Sequence, residues 1–346
     1  MEIWQILLLV VAAILLLCVV AFIVVKTIID SVFKRTERPK YSSVFQFKDV
    51  AKEYPQELIK FSSGANMLQG YLFGKENTKG LVVVVHGLGG GAEGYLAEIL
   101  YFVNQGYQVF AYDNTGYHLS EGKNSVGLPQ AVEDLEAALA FIEREERLKH
   151  LPVYLFGHSW GGYAVGAVLN FNQNVKAVAS VSGFNCPSKM VIEWGKRLIG
   201  NWAVMAIPFM MLHQRLSFGK KLDITAVDGI NKAGIPVLLV HGSKDPTVRI
   251  DGAATISCKA EITNSKVEYL LWEEEGQNGH LEVLYSVEAS EYGKQIGTEF
   301  EQLLKKTKNK LTEEDKKEFF DTVDKVKSSV TNEALMQRIV EFYARA

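Results

Sequence analysis

The chain has 346 residues, of which 48% are hydrophobic and 22% are charged. This apolar content is enough for a full hydrophobic core, so the composition excludes a disordered protein and leaves room for one large domain with attachments. The formal net charge of −3, from 37 basic and 40 acidic residues, gives no overall basic field, and we expect no binding to nucleic acid.

The first predicted element is a membrane-spanning helix over residues 3–25. This stretch contains no charged residue, and a helix of its length spans roughly 34 Å, enough for a hydrocarbon core of about 30 Å. A cleaved signal peptide would carry basic residues before its apolar run and a small-residue cleavage site after it, and the sequence has neither. A buried core helix is also disfavoured, because the stretch is apolar on every face.

Basic residues follow this helix in residues 26–55, which we expect to form a juxtamembrane stalk. They are Lys26, Lys34, Arg35, Arg38 and Lys40. The positive-inside rule places this side of the membrane in the cytoplasm. The sequence therefore predicts a single-pass protein of the cell membrane with its globular part in the cytoplasm. The same side chains are expected to contact anionic lipid headgroups.

Strands and helices alternate through residues 56–306, which we expect to form the main domain. Two strands, 58–62 and 67–73, come first. The later predicted strands are 81–85, 108–112, 152–156, 175–181, 236–240 and 266–271, and the predicted helices are 92–104, 128–147, 160–171, 250–260 and 283–304. An alternation of this length is typical of an α/β fold with a mostly parallel central sheet flanked by helices.

A glycine-rich loop, His86-Gly87-Leu88-Gly89-Gly90-Gly91, follows the predicted strand 81–85 directly. Such a loop can turn a backbone N–H toward a neighbouring nucleophile, and the Leu88 N–H is a candidate oxyanion donor. The alternative is a dinucleotide cradle, since Gly87, Gly89 and Ala92 meet a relaxed G-x-G-x-x-A spacing and Asp113 follows about 20 residues later. The motif described next favours the oxyanion loop, so no nucleotide cofactor is expected.

The segment Gly157-His158-Ser159-Trp160-Gly161 has the pattern G-x-S-x-G. It lies between a predicted strand and a predicted helix, which is the context of a nucleophile elbow. The sharp turn requires residues without bulk two before and two after the serine. We therefore predict Ser159 as the nucleophile and the Trp160 N–H, at the start of the helix, as the second oxyanion donor.

A serine hydroxyl is a poor nucleophile until a base takes its proton. After an elbow of this kind the acid and then the histidine follow along the chain. Among seven histidines, only His280 lies beyond the last predicted strand, so we predict it as the base. Asp245 comes just after the predicted strand 236–240 and is the candidate for the acid that orients His280. The alternatives for the acid are Asp223, Asp228 and Asp251.

Two segments do not follow the alternation. Residues 184–233 form a long excursion between two predicted strands, rich in methionine and aromatic residues: Trp194, Trp202, Met205, Phe209, Met210 and Met211. These side chains could pack a core of their own segment, line an acyl pocket or contact the bilayer. Residues 307–346 are predicted as a C-terminal helical extension, with apolar residues at helical spacing from Phe319 to Val330 and a second helix from Asn332.

From residue 57 to residue 305 the chain resembles the α/β-hydrolase superfamily, and most closely its serine-aminopeptidase-like and monoacylglycerol-lipase-like branch. The matching segments are H-G-L-G at 86–89, D-N-T-G-Y-H-L-S-E-G at 113–122, G-H-S-W-G-G at 157–162, H-G-S-K-D-P at 241–246 and G-H at 279–280. The sequence departs from the family's D-x-R-G-x-G-x-S pattern at Thr115, where arginine is usual, and at His118, where glycine is usual. That departure concerns the shape of the loop beside the oxyanion site.

The sequence thus predicts a membrane-anchored serine hydrolase that cleaves carboxylic esters or thioesters with apolar acyl chains. The substrate is expected to be a small ester or a lipid-like molecule, and no metal or organic cofactor is expected. The resemblance implies that residues 184–233 form a helical cap over the sheet. A serine aminopeptidase or amidase is the alternative function, in which Glu193 or Asp223 of this cap would bind a substrate amine. A non-catalytic binding protein tethered to the membrane is the second alternative.

Overall fold

The described residues of the computed structural model form an eight-stranded sheet in the order β1-β2-β4-β3-β5-β6-β7-β8. The structure describes residues 2–171 and 174–346, without the side chains of residues 198 and 199. The strands are β1 (Glu57–Ser63), β2 (Asn66–Phe73), β3 (Leu81–Val85), β4 (Gln108–Tyr112), β5 (Val153–His158), β6 (Ala177–Val181), β7 (Val237–Gly242) and β8 (Val267–Trp272). The β1–β2 and β2–β4 pairs are antiparallel and the other pairs are parallel, which confirms the predicted mostly parallel sheet.

Helices cover both faces of this sheet. They are α1 (Ile3–Val32), α2 (Phe47–Val50), α3 (Leu96–Asn104), α4 (Gln130–Ile142), α5 (Trp160–Ala167), α6 (Pro187–Ile199), α7 (Ala203–Phe218), α8 (Ala226–Ala233), α9 (Val287–Lys306), α10 (Glu313–Asp321), α11 (Lys325–Ser328) and α12 (Glu333–Ala344). Alternate residues of β3 face two separate cores. Val83 packs in the core that contains α4 and α5, and Val82 packs in the core that contains α3 and α12. Burial on both faces explains why this strand is an unbroken run of aliphatic residues.

The helix predicted over residues 250–260 is wrong, because only one turn of 3-10 helix forms there, at Thr255–Cys258. A contact with α6 determines the backbone conformation of this segment instead. The Glu193 carboxylate of α6 accepts hydrogen bonds from the N–H groups of Arg249 and Ala253, at 3.2 and 2.8 Å. A side chain at Gly252 would clash with this carboxylate, since an added Cβ would lie 2.2 Å from its oxygen.

The C-terminal residues pack on the main body. The expectation of one continuous amphipathic helix from Phe319 to Val330 is wrong, because α10 ends at Asp321 and Asp324 caps the separate short helix α11. In α12 the side chains of Leu335, Met336, Ile339, Phe342 and Tyr343 are buried. The Tyr343 hydroxyl reaches through the core and donates to the Leu155 carbonyl of β5 at 2.7 Å.

Helix α1 is long and apolar enough to cross a membrane, and it is almost entirely exposed. Its contacts with the rest of the protein lie at its C-terminal end, where Val25 and Ile29 are buried and where α1 packs against α7. The Phe22 ring lies 6.3 Å from the imidazole of His213 in α7. The chain that follows α1 crosses directly onto the main body. Two of the basic residues expected at lipid headgroups, Arg35 and Arg38, bind groups of the protein itself, and their side chains are 34% and 28% exposed.

Candidate active site

Ser159 lies at the sharp turn between β5 and α5. Its backbone has φ 57° and ψ −113°, a strained conformation for a residue with a side chain. The turn is tight enough to exclude any side chain at the two flanking glycines. An added Cβ would lie 2.2 Å from the Gly161 oxygen at Gly157, and 2.0 Å from the Val85 oxygen at Gly161. The G-x-S-x-G spacing is therefore a steric requirement of this turn, which presents the Ser159 hydroxyl at the carboxyl edge of the sheet.

The structure brings the three predicted site residues into one hydrogen-bonded line. His280 Nε2 lies 2.9 Å from Ser159 Oγ, and His280 Nδ1 lies 2.7 Å from Asp245 Oδ2. Since Asp245 accepts from Nδ1, the other ring nitrogen of a neutral His280 is free to accept the serine proton. The alternative acids lie elsewhere: Asp223 pairs with Arg215, Asp228 accepts from the hydroxyl of Thr225, the N-cap of α8, and Asp251 pairs with Arg249.

The loop after β7 fixes Asp245 in this position. Its Oδ1 accepts from the N–H groups of Thr247 and Val248, at 2.7 and 2.9 Å, which leaves Oδ2 for His280. Burial alone would raise the pKa of Asp245. The hydrogen bond and charge of His280, with the Val248 N–H, outweigh burial and hold that pKa below its ordinary value. Asp245 is therefore an anion at neutral pH.

His158, the second residue of the elbow, is a site residue that the sequence reasoning missed. Its Nε2 donates to the backbone carbonyl of His280 at 2.9 Å, and its Nδ1 accepts from the Tyr95 hydroxyl at 2.8 Å. Burial, assisted by the nearby His280, lowers the pKa of His158 to about 3, so this imidazole stays neutral. The variable position of the motif thus carries a neutral ring that holds the His280 loop in place. Its signal in the sequence was only a histidine at the variable position of the elbow.

The glycine-rich loop faces Ser159 across a cavity. The N–H groups of three of its glycines are already bound: Gly87 donates to the Tyr95 hydroxyl, Gly89 to the Tyr117 hydroxyl and Gly90 to the Gly87 carbonyl. Within the described residues, the N–H groups of Leu88 and Trp160 have no acceptor in the protein. The two amides predicted as oxyanion donors are thus among those that the described protein leaves available for a ligand.

His86, at the start of this loop, is buried and forms part of its support. Its Nε2 accepts from the Asn114 N–H at 3.0 Å, and its Nδ1 donates to the Gly87 carbonyl at 2.7 Å. Burial lowers the pKa of His86 to about 4, so the ring is neutral at physiological pH. The loop is therefore fixed by hydrogen bonds at both ends, which is the condition for preorganised donors.

A cavity of about 410 Å³ opens beside Ser159. Most of its lining side chains are apolar or aromatic, and α6 contributes Trp194. The lining also includes Leu88, Tyr95, Thr247, Leu281, Leu284 and Tyr285. The methionines proposed for an acyl pocket lie elsewhere. Met210 packs against the core, and Met205 is 66% exposed. The two acids considered for binding an amine are also engaged away from the cavity, Glu193 by backbone amides and Asp223 by Arg215.

Comparison with known proteins supports the same architecture. A family model described as "Serine aminopeptidase, S33" matches residues 76–227. An uncharacterized peptidase, YtmA, from Bacillus subtilis (strain 168) is 27% identical over 175 residues, which cover 49% of this chain and 64% of that protein. The chain thus spans less than two thirds of the length of this relative.

Solved structures show the same fold at low sequence identity. The esterase Pf2001 of Pyrococcus furiosus superposes with a TM-score of 0.55 at 15% identity, covering 79% of this chain and 98% of that one. The acylaminoacyl peptidase of Pyrococcus horikoshii superposes with a TM-score of 0.51 at 17% identity, covering 68% of this chain and 39% of that one. At these sequence identities, both comparisons show a shared fold and nothing further.

Proposed function

Because the chain belongs to the α/β-hydrolase superfamily, we propose that it is a serine hydrolase that cleaves carboxylic esters or thioesters through an acyl-enzyme. The hydrogen-bonded line from Ser159 through His280 to Asp245 is the observation that carries this proposal. Ser159 Oγ attacks the substrate carbonyl carbon while His280 Nε2 takes its proton. His280 then protonates the leaving group, and Asp245 stabilises the imidazolium.

The oxyanion of the tetrahedral intermediate lies, in this proposal, between the N–H groups of Leu88 and Trp160. One donor of this kind contributes about 3 kcal/mol to stabilising a transition state in comparable enzymes. A water molecule then attacks the acyl-enzyme with His280 as its base, which regenerates the Ser159 hydroxyl. His280 carries each proton in this cycle, and the Leu88 and Trp160 amides donate hydrogen bonds only.

Two observations favour an ester or thioester over a peptide as substrate. The cavity beside Ser159 has a mostly apolar and aromatic lining, which suits an acyl chain. Glu193 and Asp223, the two acids considered for an aminopeptidase, are occupied by other protein groups. The names of the matched family and of the Bacillus relative support the alternative of an amidase or peptidase.

We also propose that α1 anchors the enzyme in the cell membrane, with the hydrolase body on the cytoplasmic side. The apolar run of α1 ends beside α7, and α7 with its preceding turn has a row of exposed apolar side chains: Trp202 (74% exposed), Met205 (66%), Leu212 (48%) and Leu216 (71%). A helix that continues the apolar surface of the anchor at its end would lie in the membrane interface. Substrates with long acyl chains would then reach the cavity from the bilayer.

The test uses the full chain in detergent micelles beside its Ser159→Ala variant. Hydrolysis of p-nitrophenyl esters from acetate to palmitate, with an aminoacyl anilide in parallel, measures both bond preference and acyl length. We expect ester turnover that falls by roughly 10⁶-fold in Ser159→Ala. Turnover of the anilide alone would establish the amidase instead. Full activity of Ser159→Ala, or no labelling of Ser159 by a fluorophosphonate, would overturn the proposed mechanism.

A further inference from the structure

The chain that leaves α1 is tied to a loop beside the active site. We define the juxtamembrane segment as residues 33–38 and the support loop as residues 113–125. The Phe33 carbonyl accepts from the Ser125 N–H at 2.9 Å, the Thr36 N–H donates to the Gly116 carbonyl at 3.0 Å, and the Thr36 carbonyl accepts from the His118 N–H at 2.8 Å. The segment therefore pairs with the support loop through its backbone.

The guanidinium group of Arg35 adds three side-chain hydrogen bonds to this contact. One of its terminal nitrogens donates to the carbonyls of Ser120 and Gly122, at 2.9 and 3.0 Å, and the other donates to the His118 carbonyl at 2.6 Å. Within the described residues these three carbonyls have no other donor. His118 also has a positive φ of 40°, which is strained for a residue with a side chain and needs support from its surroundings. Arg35 thus holds three carbonyls of one tight turn at once.

The support loop in turn holds the glycine-rich loop. The Tyr117 hydroxyl accepts from the Gly89 N–H at 3.0 Å, and the Asn114 N–H donates to His86 Nε2 at 3.0 Å. These bonds fix the residues on either side of Leu88, whose own N–H is left unbound by the described protein. The position of the Leu88 amide therefore depends on the position of Tyr117.

We propose that the juxtamembrane segment is a positioning element of the active site, in which Arg35 acts through Tyr117 on the Leu88 amide. This inference rests on the proposed function, since it assigns the Leu88 amide to the oxyanion. Tyr117 is the support-loop residue that pairs with Thr36. One residue, Tyr117, therefore contacts both the juxtamembrane segment and the glycine-rich loop. Docking of the segment fixes the amide that donates to the oxyanion, while neither Arg35 nor Tyr117 lines the cavity beside Ser159.

The first experiment compares Arg35→Ala and Arg35→Lys with Lys40→Ala in the full chain, in detergent micelles. Lys40 is an exposed basic residue just beyond the segment, and its ion pair is with the exposed Glu313, so Lys40→Ala controls for loss of charge. We expect Arg35→Ala to lower kcat by roughly 10- to 100-fold with little change in KM, because a misplaced oxyanion donor weakens only the transition state. Binding of a trifluoromethyl ketone, which mimics the tetrahedral intermediate, should weaken by a similar factor.

Arg35→Lys keeps the positive charge but cannot present a planar fork to three carbonyls. We expect Arg35→Lys to show most of the kcat loss of Arg35→Ala. If near-ultraviolet circular dichroism shows that Arg35→Ala does not fold, Arg35→Lys is the variant that tests the inference. A loss of stability alone would lower the fraction of active enzyme without moving the inhibition constant of the ketone. The ketone measurement therefore separates positioning from folding.

A double-mutant cycle tests the route through Tyr117. Tyr117→Phe removes the acceptor of the Gly89 N–H and should lower kcat, and Arg35→Ala should then cost little more in that background. The inference would be overturned if the Arg35 variants behaved like Lys40→Ala or changed only KM. It would also be overturned if the kcat losses of Arg35→Ala and Tyr117→Phe multiplied in the double variant. Ser159→Ala distinguishes this failure from failure of the proposed function, because its residual activity reports on the nucleophile alone.

Discussion

Glu98 of α3 provides a test of the electrostatics beneath the active-site cavity. Its side chain is fully buried, and neither carboxyl oxygen has a hydrogen-bond partner among the described residues. Burial raises the pKa of Glu98 to about 7 from an ordinary value of 4.5. Glu98→Gln keeps the shape of the side chain and removes its ionisation, so the pH dependence of stability isolates the cost of burying this charge.

The size and sign of the effect follow from the two pKa values. Between pH 4.5 and about 7 the folded protein keeps the Glu98 proton, whereas the unfolded chain has released it. Because the folded state binds more protons, the free energy of unfolding falls as pH rises through this window and then levels off. The interval between the two pKa values corresponds to about 3 kcal/mol, at about 1.4 kcal/mol per pKa unit. Glu98→Gln should remove this loss.

The assay is urea unfolding of the full chain in detergent, followed by tryptophan fluorescence at half-unit steps from pH 4.5 to pH 8. The difference in free energy of unfolding between Glu98→Gln and the unaltered chain should grow in favour of glutamine by about 3 kcal/mol from the lowest pH to pH 7. Glu301→Gln, on the exposed side of α9, is the matched control and should show no such trend. Parallel curves for Glu98→Gln and the unaltered chain would refute the reasoning.

Further predictions concern the acid, the elbow and the C-terminal helix. Asp245→Asn keeps the loop bonds at Oδ1 but loses the anion, so kcat should fall by roughly 10⁴-fold, and a loss below tenfold in an esterase assay would contradict its role. Gly161→Ala should abolish soluble, active protein, because the added Cβ lies 2.0 Å from the Val85 oxygen. Gly293→Ala, where nothing lies within 4 Å of the added Cβ, should be tolerated in the same expression and activity test. Ile339→Ala, in a fully buried position of α12, should lower the free energy of unfolding by about 3 kcal/mol in urea titrations, and a change below about 0.5 kcal/mol, the usual range at surface sites, would contradict the packing of α12.

The features that the sequence predicted well are those with local causes. The aliphatic run of β3 indicates a strand buried on both faces. Gly157 of the elbow is required by a contact of 2.2 Å with the Gly161 oxygen of the same turn. The order of serine, acid and histidine along the chain then identified Ser159, Asp245 and His280, which lie within hydrogen-bond distance. Their catalytic roles stay predictions.

The features that the sequence did not predict depend on partners distant along the chain. Nothing near residues 250–260 indicates that Glu193 would take the N–H groups of that segment and prevent a helix. Nothing near Arg35 indicates three acceptors more than 80 residues away. For Arg35 the charge pattern favoured lipid headgroups as partners. In the structure Arg35 binds the carbonyls of a tight turn, which offer three fixed acceptors to one rigid fork.

The contacts of α1 make it more than a tether. A flexible tether would leave the hydrolase body unchanged when removed, whereas α1 buries Val25 and Ile29 against the protein and its end delivers Arg35 to the support loop. Removal of α1 together with Arg35 would therefore expose apolar surface on α7. It would also leave the carbonyls of His118, Ser120 and Gly122 without their donor. Helix α1 contacts α7, and the juxtamembrane segment that follows it contacts the support loop, which holds the glycine-rich loop. The proposed membrane attachment is therefore connected by contacts to the proposed oxyanion donor.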